Sequence, residues 1–79
     1  MWTKRDAMTK PGCLLNATDD EPVFVLRGRD IAMPEAIRYW ASIVRARNGG
    51  NETQKTIEAA KFADEVVAWQ RQNGCKIPD

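Results

Sequence analysis

The stretch NGGNETQ, residues 48–54, separates two helical patterns and predicts a helical hairpin. Its Asn-Gly-Gly triplet should stop the preceding helix, because glycine is favoured where the chain turns left-handed at a helix end. We interpret Asn51 as the N-cap of the next helix, with Gln54 three residues on as its capping-box partner. One helix is therefore expected to end at the triplet and another to begin just after it.

The segment before this turn predicts a helix that starts around Pro34. Proline fits the first helical turn, where its missing N–H would be unpaired anyway. Apolar residues recur along the segment at helical spacing; they are Ile37, Trp40, Ala41 and Val44. A separate polar strip holds Arg38, Ser42 and Arg45. The two strips together predict an amphipathic helix.

The segment after the turn predicts a second, longer helix that runs to about Asn73 and ends at Gly74. At 1.5 Å per residue it should be roughly 30–35 Å long. Its inner stripe is formed by Ala59, Phe62 or Ala63, Val66 and Trp69.

Residues 22–27 (PVFVLR) are the single strand candidate in the sequence. β-branched and aromatic residues fill this run, and Pro22 fits the first position of a strand. Alternate residues of a strand point to opposite faces, and both faces are apolar here. Both faces should therefore be covered by other parts of the protein.

We therefore predict a mainly α fold with a short β element (α+β), in which one strand is followed by a two-helix hairpin. Residues 22–79 form a single small domain, and residues 1–21 form an N-terminal arm that is either flexible or swapped onto a neighbouring subunit. A lone strand leaves backbone groups unpaired, so we expect it to pair with its own copy across the interface of a homo-oligomer. The expected interface residues are Val23, Val25, Trp40 and Trp69. The alternative is a monomer in which residues 10–16 supply a second strand.

Composition excludes several function classes. The net charge is +1, which argues against a strongly basic nucleic-acid-binding protein. No histidine is present, so the usual general base and the commonest zinc ligand are both missing. No nucleophile or phosphate-loop motif stands out. We expect a protein that is not an enzyme and that holds no metal and no cofactor.

The compartment is predicted from the same sequence. No signal-peptide pattern opens the chain, and no apolar run approaches the roughly 20 residues of a membrane span. We expect a cytoplasmic protein without a membrane partner, whose two cysteines, Cys13 and Cys75, are reduced. A disulfide between them is the alternative.

Residues 24–30 (FVLRGRD) carry the clearest binding pattern. Arg27 and Arg29 alternate along an extended segment, so their side chains should leave on the same side. Guanidinium groups make forked contacts with phosphates and stack on bases. The candidate ligand-binding residues are Phe24, Arg27, Arg29, Asp30, Arg38, Tyr39 and Arg45. The alternative is that Arg27 or Arg29 pairs with Asp30, with Glu35 or with an acidic group on a neighbouring subunit.

Three parts of the chain resemble a family of short phage-type proteins, most of which have no assigned function. These parts are residues 21–30 (EPVFVLRGRD), the following AMP of residues 32–34 with Ile37 and Trp40, and Trp69-Gln70 with residues 76–79 (KIPD). In size, architecture and arginine content the chain is also similar to immune-evasion sponges, which are oligomers that sequester cyclic nucleotide or cyclic ADP-ribose signals. The resemblance implies a viral anti-defence protein in the host cytoplasm.

Three function hypotheses follow. The first is an oligomer that sequesters a small anionic nucleotide signal without converting it. The second is a protein-interaction module that inhibits a host protein by direct binding. The third is a nucleic-acid-binding accessory protein, which the near-neutral charge disfavours.

Overall fold

The computed structural model describes residues 2–79, apart from the side chain of Cys13, and contains four helices within that range. They are α1 (Lys4–Thr9), α2 (Cys13–Asn16), α3 (Met33–Arg47) and α4 (Gln54–Asn73). Helices α3 and α4 pack against each other as a hairpin, and α1 packs against α2. The predicted two-helix hairpin is confirmed.

The ends of α3 form as the sequence predicts. Pro34 lies in its first turn. At the other end, the backbone N–H of Asn48 donates to the carbonyls of Val44 and Arg45. Gly49 and Gly50 follow with φ values of 67° and 82°, a left-handed conformation that costs glycine little.

The cap of α4 lies two residues later than predicted. Thr53, rather than Asn51, is the N-cap, and its hydroxyl accepts a hydrogen bond from the backbone N–H of Thr56 at 3.1 Å. The Thr56 hydroxyl in turn accepts from the backbone N–H of Thr53 at 2.9 Å. Two threonines therefore form a reciprocal capping box, a role usually filled by Thr with Glu or Gln.

The core of the hairpin is small. The buried apolar side chains are Ala41, Ala63 and Val66, and Pro34 and Thr56 are buried beside them. Small residues let two helix backbones approach closely, but they remove little apolar surface from water. The predicted stripes are confirmed at Ala41, Ala63 and Val66, whereas Trp40 faces outward with 47% of its surface exposed.

The predicted strand is wrong. Residues 22–27 have no regular secondary structure and belong to no sheet, and the isolated parallel bridge between Asp30 and Lys76 is the sole β-type pairing in residues 2–79. The α+β class and the strand pairing across an oligomer interface are therefore overturned, and the described fold is all-α. The physical reason is the lack of a partner: residues 13–16 are helical and offer no second strand.

The N-terminal arm holds two short helices that the sequence pattern did not predict. Thr3 caps α1 and forms a capping box with Asp6, and Lys10 pairs with Asp6 at 3.1 Å. The ring of Trp2 lies over Gly12, where an added Cβ would meet it at 3.5 Å.

Two further properties complete the fold. Within residues 2–79, no helix combines the length and the apolar character needed to cross a lipid bilayer. Cys75 is exposed and carries a free thiol, while the predicted thiol state of Cys13 lies outside the described atoms.

Candidate ligand groove

The segment of residues 27–31 docks onto the C-terminal end of the chain, and we call this contact the clasp. The side-chain amide of Gln70 donates two hydrogen bonds, to the carbonyls of Gly28 (2.9 Å) and Asp30 (2.8 Å). The backbone N–H of Lys76 donates to the carbonyl of Arg29 at 2.8 Å, and that of Ile31 donates to the carbonyl of Lys76 at 3.0 Å. The clasp joins two stretches that are about forty residues apart in the sequence.

Arg29 occupies the centre of the clasp. Its Nη1 donates to the carbonyl of Asn73 at 2.6 Å, and its guanidinium lies 5.2 Å from the ring centroid of Trp69. A cation is favourable at a helix C-terminus because the last carbonyls carry partial negative charge. Gly28 lies against the same ring, where an added Cβ would make an ordinary contact with Trp69 at 3.6 Å.

A groove of about 350 Å³ lies beside the clasp. Its lining residues come from both joined stretches; they are Val25, Arg27, Arg29, Asp30, Lys76, Pro78 and Asp79. Ligand sites commonly have volumes from about 300 to 1,000 Å³, so this groove fits a small ligand or part of a larger one.

The charges of the groove are mixed. Three cations, Arg27, Arg29 and Lys76, face two carboxylates, Asp30 and Asp79. Lys76 Nζ lies 3.1 Å from both carboxylate oxygens of Asp79, and Asp30 Oδ1 accepts from the backbone N–H of Ala32 at 2.8 Å. Arg27 is exposed and has no side-chain hydrogen bond or ion pair within residues 2–79. Counted over side chains, the groove therefore has one more cation than carboxylates, and the guanidinium of Arg27 is unengaged.

Two predicted ligand-binding arginines do not line the groove. Arg38 Nη2 pairs with Asp64 at 2.9 Å, and Arg45 Nη1 pairs with Glu52 at 2.7 Å. Both pairs connect α3 to the α4 side of the hairpin. The hydrogen bond from Thr56, followed by that from Arg45, lowers the pKa of Glu52. Arg38 and Arg45 of α3 are thus paired with carboxylates of the same chain.

The other residues predicted to bind a ligand or to form the oligomer interface lie partly on the exposed surface and partly at the groove and the clasp. Phe24 is 87% exposed and Tyr39 is 69% exposed, and neither lines the groove. Of the predicted interface residues, Val23 and Trp40 are exposed, Val25 lines the groove, and Trp69 lies beneath Arg29.

Three lining residues, Lys76, Pro78 and Asp79, were absent from the predicted site. Gly74 marks the end of α4 in the sequence, but no periodicity shows that the tail returns to residue 29. No local sequence pattern joins the tail to residues 27–31.

A second depression of about 410 Å³ runs along α4 and is more open than the groove. It is lined by Glu65, Ala68, Trp69, Arg71 and Gln72. In the described part of the chain, no three His, Cys, Asp or Glu side chains are grouped so that they could hold a metal ion.

No protein-family model matches the chain. No curated protein and no solved structure matches it either.

Proposed function

We propose that this protein is a non-catalytic binding protein whose groove takes a small phosphate-bearing ligand. The observation that carries the proposal is the convergence of Arg27, Arg29 and Lys76 on one groove from two distant stretches of the chain. Guanidinium groups bind phosphate oxygens through paired, charge-assisted hydrogen bonds, and a lysine adds a point charge beside them.

The groove is partly organised in advance of binding. Arg29 is held by the Asn73 carbonyl and the Trp69 ring, so little side-chain freedom remains to be lost there. Arg27 supplies the unengaged donors. The aromatic surface of Trp69 is shielded by Arg29, so base stacking would have to use another ring.

The carboxylates of the groove oppose an anion but do not prevent its binding. The exposed ion pair between Lys76 and Asp79 contributes about 0–1 kcal/mol. A phosphate that accepts from Lys76 would displace Asp79 at that small cost. Asp30 is already engaged by the Ala32 backbone and would remain in place.

In its most specific form, the proposal is that the ligand is a cyclic nucleotide immune signal and that the protein sequesters it without converting it. The resemblance to short phage-type proteins motivates this choice of ligand. A small phosphate ligand of any other kind would use the same three cations.

The test is titration calorimetry with cyclic dinucleotides, cyclic trinucleotides, cyclic ADP-ribose isomers and inorganic phosphate. One ligand should bind, and its affinity should fall as ionic strength rises because the groove charges are exposed to solvent. Arg27→Gln should weaken binding about tenfold or more, since a charge-assisted hydrogen bond contributes roughly 1.5–3 kcal/mol.

Arg5→Gln is the matched control, because Arg5 is an exposed arginine in the arm, outside the groove. It should leave the affinity unchanged. The proposal fails if no compound of the panel binds, or if the two variants weaken binding equally.

A second candidate function is inhibition of a host protein by direct binding. The observation that favours it is the apolar surface of residues 22–27, where Val23, Phe24 and Val25 are all exposed. Such a patch is typical of protein-interaction sites. A stoichiometric host partner captured by the wild-type protein and lost with Phe24→Ser would support it, whereas equal capture by both would contradict it.

A further inference from the structure

Helix α3 is apolar on two opposite sides. Its inner side carries Ala41 and packs against α4. Two residues further on, about 200° around the helix, Ile43 points away from α4 and is 37% exposed. Tyr39 and Trp40 lie one turn before Ile43 and are 69% and 47% exposed.

Tyr39, Trp40 and Ile43 form one patch, which we call the outer face of α3. Residues three and four apart are neighbours on a helix surface, so Ile43 lies between the two aromatic side chains. Tyrosine and tryptophan are the residues most enriched at the centre of protein interfaces. In a monomer, an amphipathic helix carries polar residues on the face that points away from the core.

Charged residues of opposite sign lie at the two ends of the outer face. Glu35 precedes Tyr39 by one turn, and Arg47 follows Ile43 by one turn. Within residues 2–79 neither residue takes part in an ion pair, in contrast to Arg38 and Arg45 on the side of α3 next to α4.

This arrangement is complementary to itself. If two copies of α3 cross antiparallel about a two-fold axis at the level of Ala41, Glu35 meets Arg47 of the partner subunit. The same axis places Tyr39 against Ile43 of the partner subunit. Each contact then occurs twice, as an isologous interface requires.

The chain exposes more surface than a compact monomer of its mass, and the arm and residues 22–27 contribute to this surplus as well as the outer face of α3. Its accessible surface is 6505 Å², whereas a compact monomer of 8.9 kDa exposes about 4,800 Å². Its radius of gyration is 13.5 Å, against about 11.6 Å for a compact chain of this length. The surplus of about 1,700 Å² exceeds the roughly 800 Å² that each partner buries in a standard interface.

We infer that the occupant of the outer face of α3 is a second copy of this chain, which forms a two-fold antiparallel helix contact. The small net charge of +1 adds little repulsion between two copies. This dimer involves neither the groove nor residues 22–27, so the inference can be tested independently of the proposed ligand.

The test is sedimentation equilibrium of the full chain over a range of concentrations, with helix content followed by circular dichroism. The wild type should be dimeric at micromolar concentration. Glu35→Lys should raise the dimer dissociation constant about tenfold, because two attractive contacts become repulsive. Adding Arg47→Glu to the same chain should reverse the charges and restore the constant to within about threefold of wild type.

A hydrophobic pair supplies the matched control. Ile43→Ser should dissociate the dimer. Ile57→Ser should not, because Ile57 lies on the first turn of α4, outside the outer face of α3, and is similarly exposed at 53%. A wild-type chain that is still monomeric at a concentration about 100-fold above the micromolar range overturns the inference. A dimer that remains intact in both Glu35→Lys and Ile43→Ser also overturns it. So does a double charge reversal that fails to restore dimerisation although the helix content is unchanged.

Discussion

Gln70 is the residue whose side chain fixes the clasp. Its amide nitrogen donates to two carbonyls of residues 28–30, and a net hydrogen bond contributes about 0.5–1.5 kcal/mol. Gln70→Ala should therefore lower the free energy of unfolding by about 1–3 kcal/mol. Urea denaturation measures this loss.

Gln72→Ala is the control for that substitution. Gln72 lies on the same helix two residues further on and is exposed. Its replacement should change the free energy of unfolding by less than about 0.5 kcal/mol. Equal losses for the two variants would show that the clasp contributes nothing to stability.

Gly28 and Gly50 differ in backbone conformation, so replacing each with alanine should have opposite effects on stability. Gly28 has no positive φ, and an added Cβ would make an ordinary contact with Trp69 at 3.6 Å. Gly28→Ala should be neutral or should stabilise by up to about 1 kcal/mol, because alanine restricts the unfolded chain. Gly50→Ala should destabilise by about 1 kcal/mol, since φ is 82° at this position.

Thermal melts of the two glycine variants, compared with wild type, check this prediction. The expected order of melting temperatures places Gly28→Ala above Gly50→Ala. The reverse order would contradict the assignment of the left-handed turn to the end of α3.

At the residue scale, the sequence indicated which side chains were candidates but not their partners. Arg29 was selected for its charge, and the structure uses that charge on the Asn73 carbonyl, forty-four positions away. Arg45 was selected for the same reason and pairs with Glu52 across the hairpin turn. Which acceptor a long side chain reaches is decided by the packing of the elements, and helical periodicity carries no information about it.

The first turn of α4 links stability to pH at the element scale. Hydrogen bonds from the Thr56 hydroxyl and then from Arg45 favour the charged form of Glu52, which lies just before the helix, and lower its pKa below the ordinary value of 4.5. A carboxylate with a depressed folded-state pKa stabilises the fold above its unfolded value, and this stability is lost as the pH falls through the folded pKa. The melting temperature should therefore drop below pH 4.5.

Glu52→Gln tests the origin of that acid sensitivity. The variant should be less stable than wild type at pH 7, and the difference should shrink as the pH falls below 4.5. Glu58→Gln is the control and should follow the wild-type curve, since its amide can still accept from Gln54. The pKa of Asp6 is also lowered, chiefly by Lys10, so α1 retains an acid response of its own.

The helices could be predicted from sequence because their signals are local. Proline near the start of α3, the glycine pair at its end and Gly74 at the end of α4 each act within one turn of the helix. Residues 22–27 had an equally local strand signal, yet a strand exists through hydrogen bonds to a neighbour. The chain offers them no neighbour, so the propensity alone misled the prediction.

At the scale of the whole molecule, residues 2–79 form a helical hairpin, an arm and an irregular connection between them. Among the described residues, the backbone of residues 22–26 makes no intramolecular hydrogen bond. Chymotrypsin should therefore cleave first after Phe24, because cleavage there requires no local unfolding. Tyr39 and Trp40 are exposed too, but their helical backbone should protect them.

Mass spectrometry of an early digest checks this order. Fragments ending at Phe24 should precede those ending at Tyr39 or Trp40. Initial cleavage within α3 would contradict the prediction, because it would show that the helical hairpin opens locally before the protease cleaves the connection.

The clasp also fixes an order of events during folding. The hairpin closes through contacts across a turn of a few residues, which costs little chain entropy, whereas the bridge between Asp30 and Lys76 closes a loop of more than forty residues. The hairpin should therefore form first and the clasp last. The groove, which is lined from both joined stretches, should therefore be absent from any folding intermediate that holds only the hairpin.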